Sequence, residues 1–219
     1  FNRSTGYNAF TREGKKTCSY EVWQDLGRQA PDHMLVPTGD GNIISAVWKG
    51  WRDLKALGLI ERLPKVTCVQ STTSDAISRA VERLRQPGAS DTDWSALDIA
   101  PVNAATVADS IAVDRPRDGL AAVRAVIGSG GEAVTVADAD ILAAIPEMAR
   151  LSGVFPEPAA AAPWAALKQM VRNGQVGAAE RIVCLVTGNG LKDIASATAA
   201  VGKPRHVAAN LDAVRACLK

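Results

Sequence analysis

Residues 37–50, "PTGDGNIISAVWKG", decide the fold. The apolar run His33-Met-Leu-Val-Pro37 before them reads as a short buried strand. Ile43 to Leu57 behind them has helical periodicity, and Gly58 stands at the expected C-terminal cap. A strand, a turn with two glycines and a helix within a few residues make the first half of a β-α-β unit. Glycine lets the backbone take positive φ and lets a ligand come close. Exposed N–H groups and the positive end of the helix dipole then form a site suited to a phosphate. A Gly-Asp-Gly turn between strand and helix is about as often only a turn, so both readings stand at this point. The stretch is not a Walker loop, since GxxxxGK[ST] is absent, and it lacks the third glycine of a dinucleotide fingerprint. Asp40 must turn its carboxylate away from any anion bound there.

Working outward, short apolar runs alternate with helical ones, as in an α/β architecture with a largely parallel sheet. Thr17 to Gln29 reads as a helix, Lys65 to Gln70 as a strand and Ser74 to Arg85 as a helix. Residues 86–118, rich in Pro, Asp, Ser and Ala, read as a surface excursion within one domain that takes in the whole of 1–219. Helices are expected over Arg117–Ile127, Asp138–Arg150 and the Ala-rich stretch 159–174, with a strand at Glu132–Val136 between the first two. Arg181 to Val186 is a further strong strand, and Val207 to Leu218 a last helix. The loop after that strand, "VTGNGLKD" (186–193), carries two glycines, an amide and a hydroxyl. Ligands in open α/β sheets bind beyond the carboxyl ends of strands. If the strands ending at Pro37 and Val186 are parallel neighbours, their loops face one crevice.

The composition narrows the function. The chain has 219 residues, 47% of them hydrophobic and 22% charged, with a net charge of +2. That balance gives no electrostatic case for nucleic acid or an anionic membrane. No apolar run approaches the ~20 residues that span a bilayer, so the cytoplasm is the expected location. Cys18, Cys68, Cys184 and Cys217 form no CxxC pair, and with only His33 and His206 besides, no metal site is expected. Arg79, Arg83 and Arg85 read as the wet face of a helix, and Cys68 and Cys184 as small core residues.

Three stretches, "PTGDGNIISAVWKGWRDLKALGLIERLPKVTCVQ", "GVFPEPAAAAPWAALKQM" and "VCLVTGNGLKD", occur in the order and spacing of threonine synthases and their relatives, and "EGKKT" (13–17) resembles a further family segment. The chain therefore resembles pyridoxal-5′-phosphate (PLP) enzymes of fold type II from about Asn8 to Asp193. The resemblance implies a three-layer αβα fold like their large domain, with PLP as cofactor. It implies that Gly39, Asp40, Gly41 and Asn42 hold the cofactor phosphate. Thr187 would meet the pyridine nitrogen, with Gly188 and Asn189 shaping its loop. Glu157 matches a family motif near the site, although a purely structural turn fits it equally. Lys192 and Asp193 read as a charge pair at a helix start.

PLP chemistry needs a lysine that forms a Schiff base with the cofactor, and in this family it lies well before the glycine loop in a Ser-Phe-Lys type motif. No lysine here has that setting. The chain is thus expected to be the C-terminal part of the large domain, inactive alone, with no catalytic residue of its own. The lysine and a small substrate domain would precede Phe1 and be its first partner. A second copy of the chain is another, family members being commonly dimers. The implied substrate is an amino-acid phosphate, O-phosphohomoserine. Where threonine synthases bind it with an Asn-Ser pair and an Arg before "EGQKT", this chain has Thr5-Gly6 and Thr11, with Arg12 adjacent. A dehydratase or ammonia-lyase, or a non-catalytic module that binds a phosphate ligand, stays open as an alternative.

Overall fold

A computed structural model describes residues 2, 4–86, 94 and 97–218. Four parallel strands, β1 (His33–Pro37), β2 (Lys65–Ser71), β3 (Ala133–Val136) and β4 (Ile182–Cys184), form one sheet in the order β3-β2-β1-β4. Register runs His33 to Lys65 on one side of β1 and His33 to Ile182 on the other.

Alternation along the strands divides the core. Met34 and Val36 of β1 and Val66 and Cys68 of β2 face one layer of helices. That layer is built on α3 (Asn42–Ala56), α4 (Ala76–Arg85) and α5 (Gly119–Ser129), with α2 (Thr17–Asp25) packed outside α3. Leu35, Val69, Val134 and Val136 face the other layer, α6 (Asp138–Ser152) and α7 (Pro158–Arg172). The result is a three-layer αβα arrangement. Six buried alanines of α7, Ala159 to Ala162 with Ala165 and Ala166, bring this helix close to the sheet, because a methyl side chain adds little to the distance between elements. Trp51 of α3 is fully buried and donates its indole N–H to Met34 Sδ across 3.3 Å.

The expected elements hold in the core and shift at the margins. β1 has its expected bounds, and α3 begins one residue early at Asn42. The helix expected over 17–29 stops at Asp25, and a separate helix α1 (Ala9–Lys15), capped by the Asn8 side chain, precedes it. The strand expected over 181–186 narrows to 182–184, an edge strand with β1 as its one neighbour among the described residues. Two helices close the chain, α8 (Ile194–Val201), which the apolar pattern did not reveal, and α9 (Leu211–Cys217). The excursion at 86–118 falls partly outside the described residues; its described part contains one short helical turn, Asp109–Ile111.

Candidate functional site

At the carboxyl ends of β1 and β4 lies a cavity of about 290 Å³. Gly39, Asp40, Gly41 and Asn42 line one end and Thr187 the other, with Ser110, Glu157, Lys192, Lys15 and Thr5 between and around them. β1 and β4 are parallel neighbours, so the crevice expected from sequence exists. Gly188 and Asn189 do not line it. Gly188 accepts a hydrogen bond from the Glu157 N–H at 3.0 Å, and the Asn189 side chain caps the following turn by accepting from the Leu191 N–H. They shape the Thr187 loop from behind.

The turn 38–41 is built by close approach. A Cβ at Gly39 would sit 3.0–3.3 Å from Val113, Ile111 and Ser110. Gly41 has φ +89°, and a Cβ there would meet Asp118 O and Ala122 Cβ at 2.8 Å. Gly41 therefore requires glycine for space and for backbone conformation, and Gly39 sits where a side chain would press tightly on the 110–113 segment. Asp40 turns its carboxylate to the Arg117 N–H at 3.1 Å, and its carbonyl accepts from the Asp118 N–H. Among the described residues, none accepts a hydrogen bond from the N–H groups of Gly39, Asp40, Gly41 or Asn42. Four unanswered donors at the start of the 15-residue helix α3 fit a phosphate.

Asn42 is buried, and its side chain is the hub of a polar network. Its amide donates to Asp118 at 2.7 Å and to Thr11 Oγ1 at 3.3 Å, and its carbonyl accepts from Lys15 Nζ at 2.8 Å. Asp118, also buried, pairs with Arg12 at 2.6 Å. Arg12 is thus committed to Asp118 and is absent from the cavity lining. Lys16 and Lys49 are both held by Glu13 and Asp53.

The far end carries a feature that the sequence did not disclose. Glu157, buried at the N-terminus of α7, accepts from Lys192 Nζ at 2.8 Å and from Ser110 Oγ at 3.3 Å. Lys192 Nζ also donates to Ser110 Oγ at 2.8 Å. The Glu157 carboxylate beside it raises the Lys192 pKa above the ordinary lysine value. Lys192 is therefore not half of a helix-start charge pair with Asp193. Asp193 alone caps α8, accepting from the Ser196 N–H at 2.9 Å. Adjacent charges of opposite sign suggested a local pair, but Lys192 pairs instead across the fold with a residue 35 positions away.

Burial raises the Cys68 and Cys184 thiols to about 12, so neither is a nucleophile at neutral pH. Among the described residues, no helix is long and apolar enough to cross a membrane.

An αβα arrangement with a glycine turn and a second polar loop at adjacent strand ends makes a crevice of the kind in which open α/β sheets bind ligands. More narrowly, the chain belongs to the pyridoxal-phosphate dependent enzyme family, whose pattern matches residues 1–188. It is 37% identical over 213 residues to threonine synthase of Methanocaldococcus jannaschii, an alignment covering 97% of this chain and 50% of that protein. The crystal structure of threonine synthase from Escherichia coli superposes with a TM-score of 0.65 at 18% identity, over 90% of this chain and 42% of the other. Threonine deaminase isoform 2 from Solanum lycopersicum gives 0.65 at 17%, over 88% and 50%. The fold is that of fold type II PLP enzymes, and the chain spans about half the length of the curated relatives it matches.

Proposed function

We propose that this chain is the C-terminal part of the cofactor domain of a threonine synthase-type lyase, and that the cavity between the 38–42 and 187–193 loops holds PLP. The observation that carries this is the meeting of four unanswered N–H groups at Gly39–Asn42 with Thr187 in one cavity. The identity with threonine synthases supports the choice within the family. In the complete protein the reaction converts O-phosphohomoserine and water to threonine and phosphate.

When bound, the cofactor supplies an electron sink for the substrate's α-carbon. The residues of this chain bind and orient. The N–H groups of Gly39, Asp40, Gly41 and Asn42 would hold the phosphate. The Thr187 hydroxyl would offer the ring nitrogen a hydrogen bond while keeping its proton, and such a neutral partner would leave the ring less electron-withdrawing than a carboxylate would. Two lysines line the cavity, and neither suits covalent attachment. Lys15 is engaged with Asn42, and the raised pKa of Lys192 keeps it an ammonium, whereas a nucleophilic lysine needs a depressed one. On this reading the covalent lysine belongs to a part of the protein outside these 219 residues.

A dehydratase or ammonia-lyase of an unphosphorylated hydroxy amino acid is the second reading. It is favoured by the commitment of Arg12 to Asp118 and the presence of Thr11 where a phosphate-binding arginine is expected. One experiment addresses these points. The 219-residue protein is titrated with pyridoxamine 5′-phosphate, which needs no lysine, and assayed with PLP plus O-phosphohomoserine, serine or threonine. Binding without turnover is expected. Absence of binding contradicts the cavity, and threonine formation contradicts the lysine assignment. In a complete protein, keto-acid release from serine or threonine without threonine synthesis selects the second reading.

A further inference from the structure

We infer that Lys192, Glu157 and Ser110 form a latch that fixes the spacing between the two ends of the cavity, making Lys192 and Glu157 positioning residues for Thr187. The inference rests on the reading of the cavity as the PLP site. Three segments meet at the latch. Ser110 belongs to the turn 109–111, whose backbone lies against Gly39, so this segment is fixed to the phosphate end. Glu157 immediately precedes α7 and is anchored in the second core layer through the buried alanines that follow it. Lys192 belongs to the loop that carries Thr187. One ammonium bonded to both Ser110 and Glu157 therefore ties the Thr187 loop to the wall of the phosphate end.

Neighbouring contacts show how the loop is held otherwise. Glu157 N–H donates to Gly188 O, Gly190 N–H donates to Phe155 O at 2.8 Å, and residues 156 and 189 form an isolated antiparallel bridge. These main-chain bonds attach the loop to residues 155–157. The carboxylate of Glu157 also occupies the space beside Gly188: a Cβ at Gly188 would fall 2.2 Å from Glu157 Oε1. Glycine at 188 thus leaves the room through which the buried carboxylate faces Lys192. The chemistry is asymmetric. Glu157 is 5% exposed at its side chain and Lys192 is 61% exposed, so removing the ammonium leaves a buried carboxylate with Ser110 as its one remaining side-chain hydrogen-bond donor among the described residues. A buried charge stripped of its counterion forces local rearrangement. That rearrangement falls on the residues next to Thr187.

The test compares Lys192→Met, Lys192→Arg and Glu157→Gln with the parent 219-residue protein. Amide hydrogen exchange is read across residues 187–193, and binding is measured with pyridoxamine 5′-phosphate and with inorganic phosphate. Lys192→Met and Glu157→Gln are expected to speed exchange of the 190–193 amides. They are also expected to weaken pyridoxamine 5′-phosphate by about tenfold, the scale of a lost hydrogen bond to a charged group, with inorganic phosphate unchanged. Lys192→Arg restores both. Unchanged exchange in Lys192→Met overturns the latch whatever binds. Equal loss of both ligands also overturns it, because that marks general damage rather than a displaced ring end. If the parent protein binds neither ligand, the PLP reading fails while the exchange experiment still decides whether the latch exists.

Discussion

The two ends of the cavity are built differently. The phosphate end stands on β1, buried along its whole length, and on α3, whose Trp51, Ile44 and Val47 are fully inaccessible. The Thr187 end stands on β4, three half-buried residues with β1 as their one neighbour among the described residues, followed by α8, which buries no residue completely. One end inherits its geometry from the core; the other is attached by a few polar contacts. A two-ended ligand site on such a scaffold needs a device that carries the precision of the rigid end to the loose one, and the Lys192–Glu157–Ser110 contact spans that gap.

The largest expected effect sets the core against the periphery. Trp51→Ala is expected to cost about 3–5 kcal/mol, the range for deleting a large buried side chain, whereas Ile194→Ala on α8 should stay within about 0.5 kcal/mol as an exposed substitution. Denaturant melts of the two variants check this, and equal losses would erase the distinction between the ends.

Next comes Gly41→Asp. At φ +89°, with Asp118 O 2.8 Å from the new Cβ, it introduces strain of roughly 1–3 kcal/mol and a negative charge beside the phosphate position. Binding of pyridoxamine 5′-phosphate is expected to fall by about a hundredfold, well beyond the effect of any change at the Thr187 end. Calorimetry reads the result, and unchanged affinity removes the glycine turn from the site.

The smallest effect is pH-dependent and belongs to β4. Asp32 accepts from the Arg181 N–H at 2.7 Å and pairs with Arg62, and these contacts, the N–H first, hold its carboxyl below the ordinary value. Glu180 is likewise held low by the Gly177 N–H and by His33. A carboxylate with a lowered folded pKa contributes stability in full above its unfolded value, about 4, and loses it as pH falls through the folded value. Acidification below about pH 4 should therefore speed amide exchange at 182–185 before exchange in β1 or β2. Simultaneous loosening of all three strands would contradict the special weakness of β4.

What the sequence disclosed follows the same division. His33–Pro37 and the helix after it were legible because fully buried elements write long apolar runs and clear periodicity, and the glycine turn between them has few alternatives. β4 is shorter than its apolar run because residues 182–185 are only half-buried and 181 and 186 are exposed, and the pairing of such positions depends on a neighbour that sequence does not name. α8 escaped because its Ala-rich pattern has no buried face to impose a period. The Glu157–Lys192 pair was hidden for a different reason: no local pattern signals a contact between residues so distant in the chain.

The central claim, that one ligand bridges both ends of this cavity, is tested most directly by residue-resolved NMR titration of the 219-residue protein. Pyridoxamine 5′-phosphate is predicted to move the amide signals of Gly39, Gly41 and Asn42 together with those of Thr187 and Gly188, with a common dissociation constant, while inorganic phosphate moves the first group alone. Shifts confined to one end with pyridoxamine 5′-phosphate, or separate constants for the two groups, would contradict it.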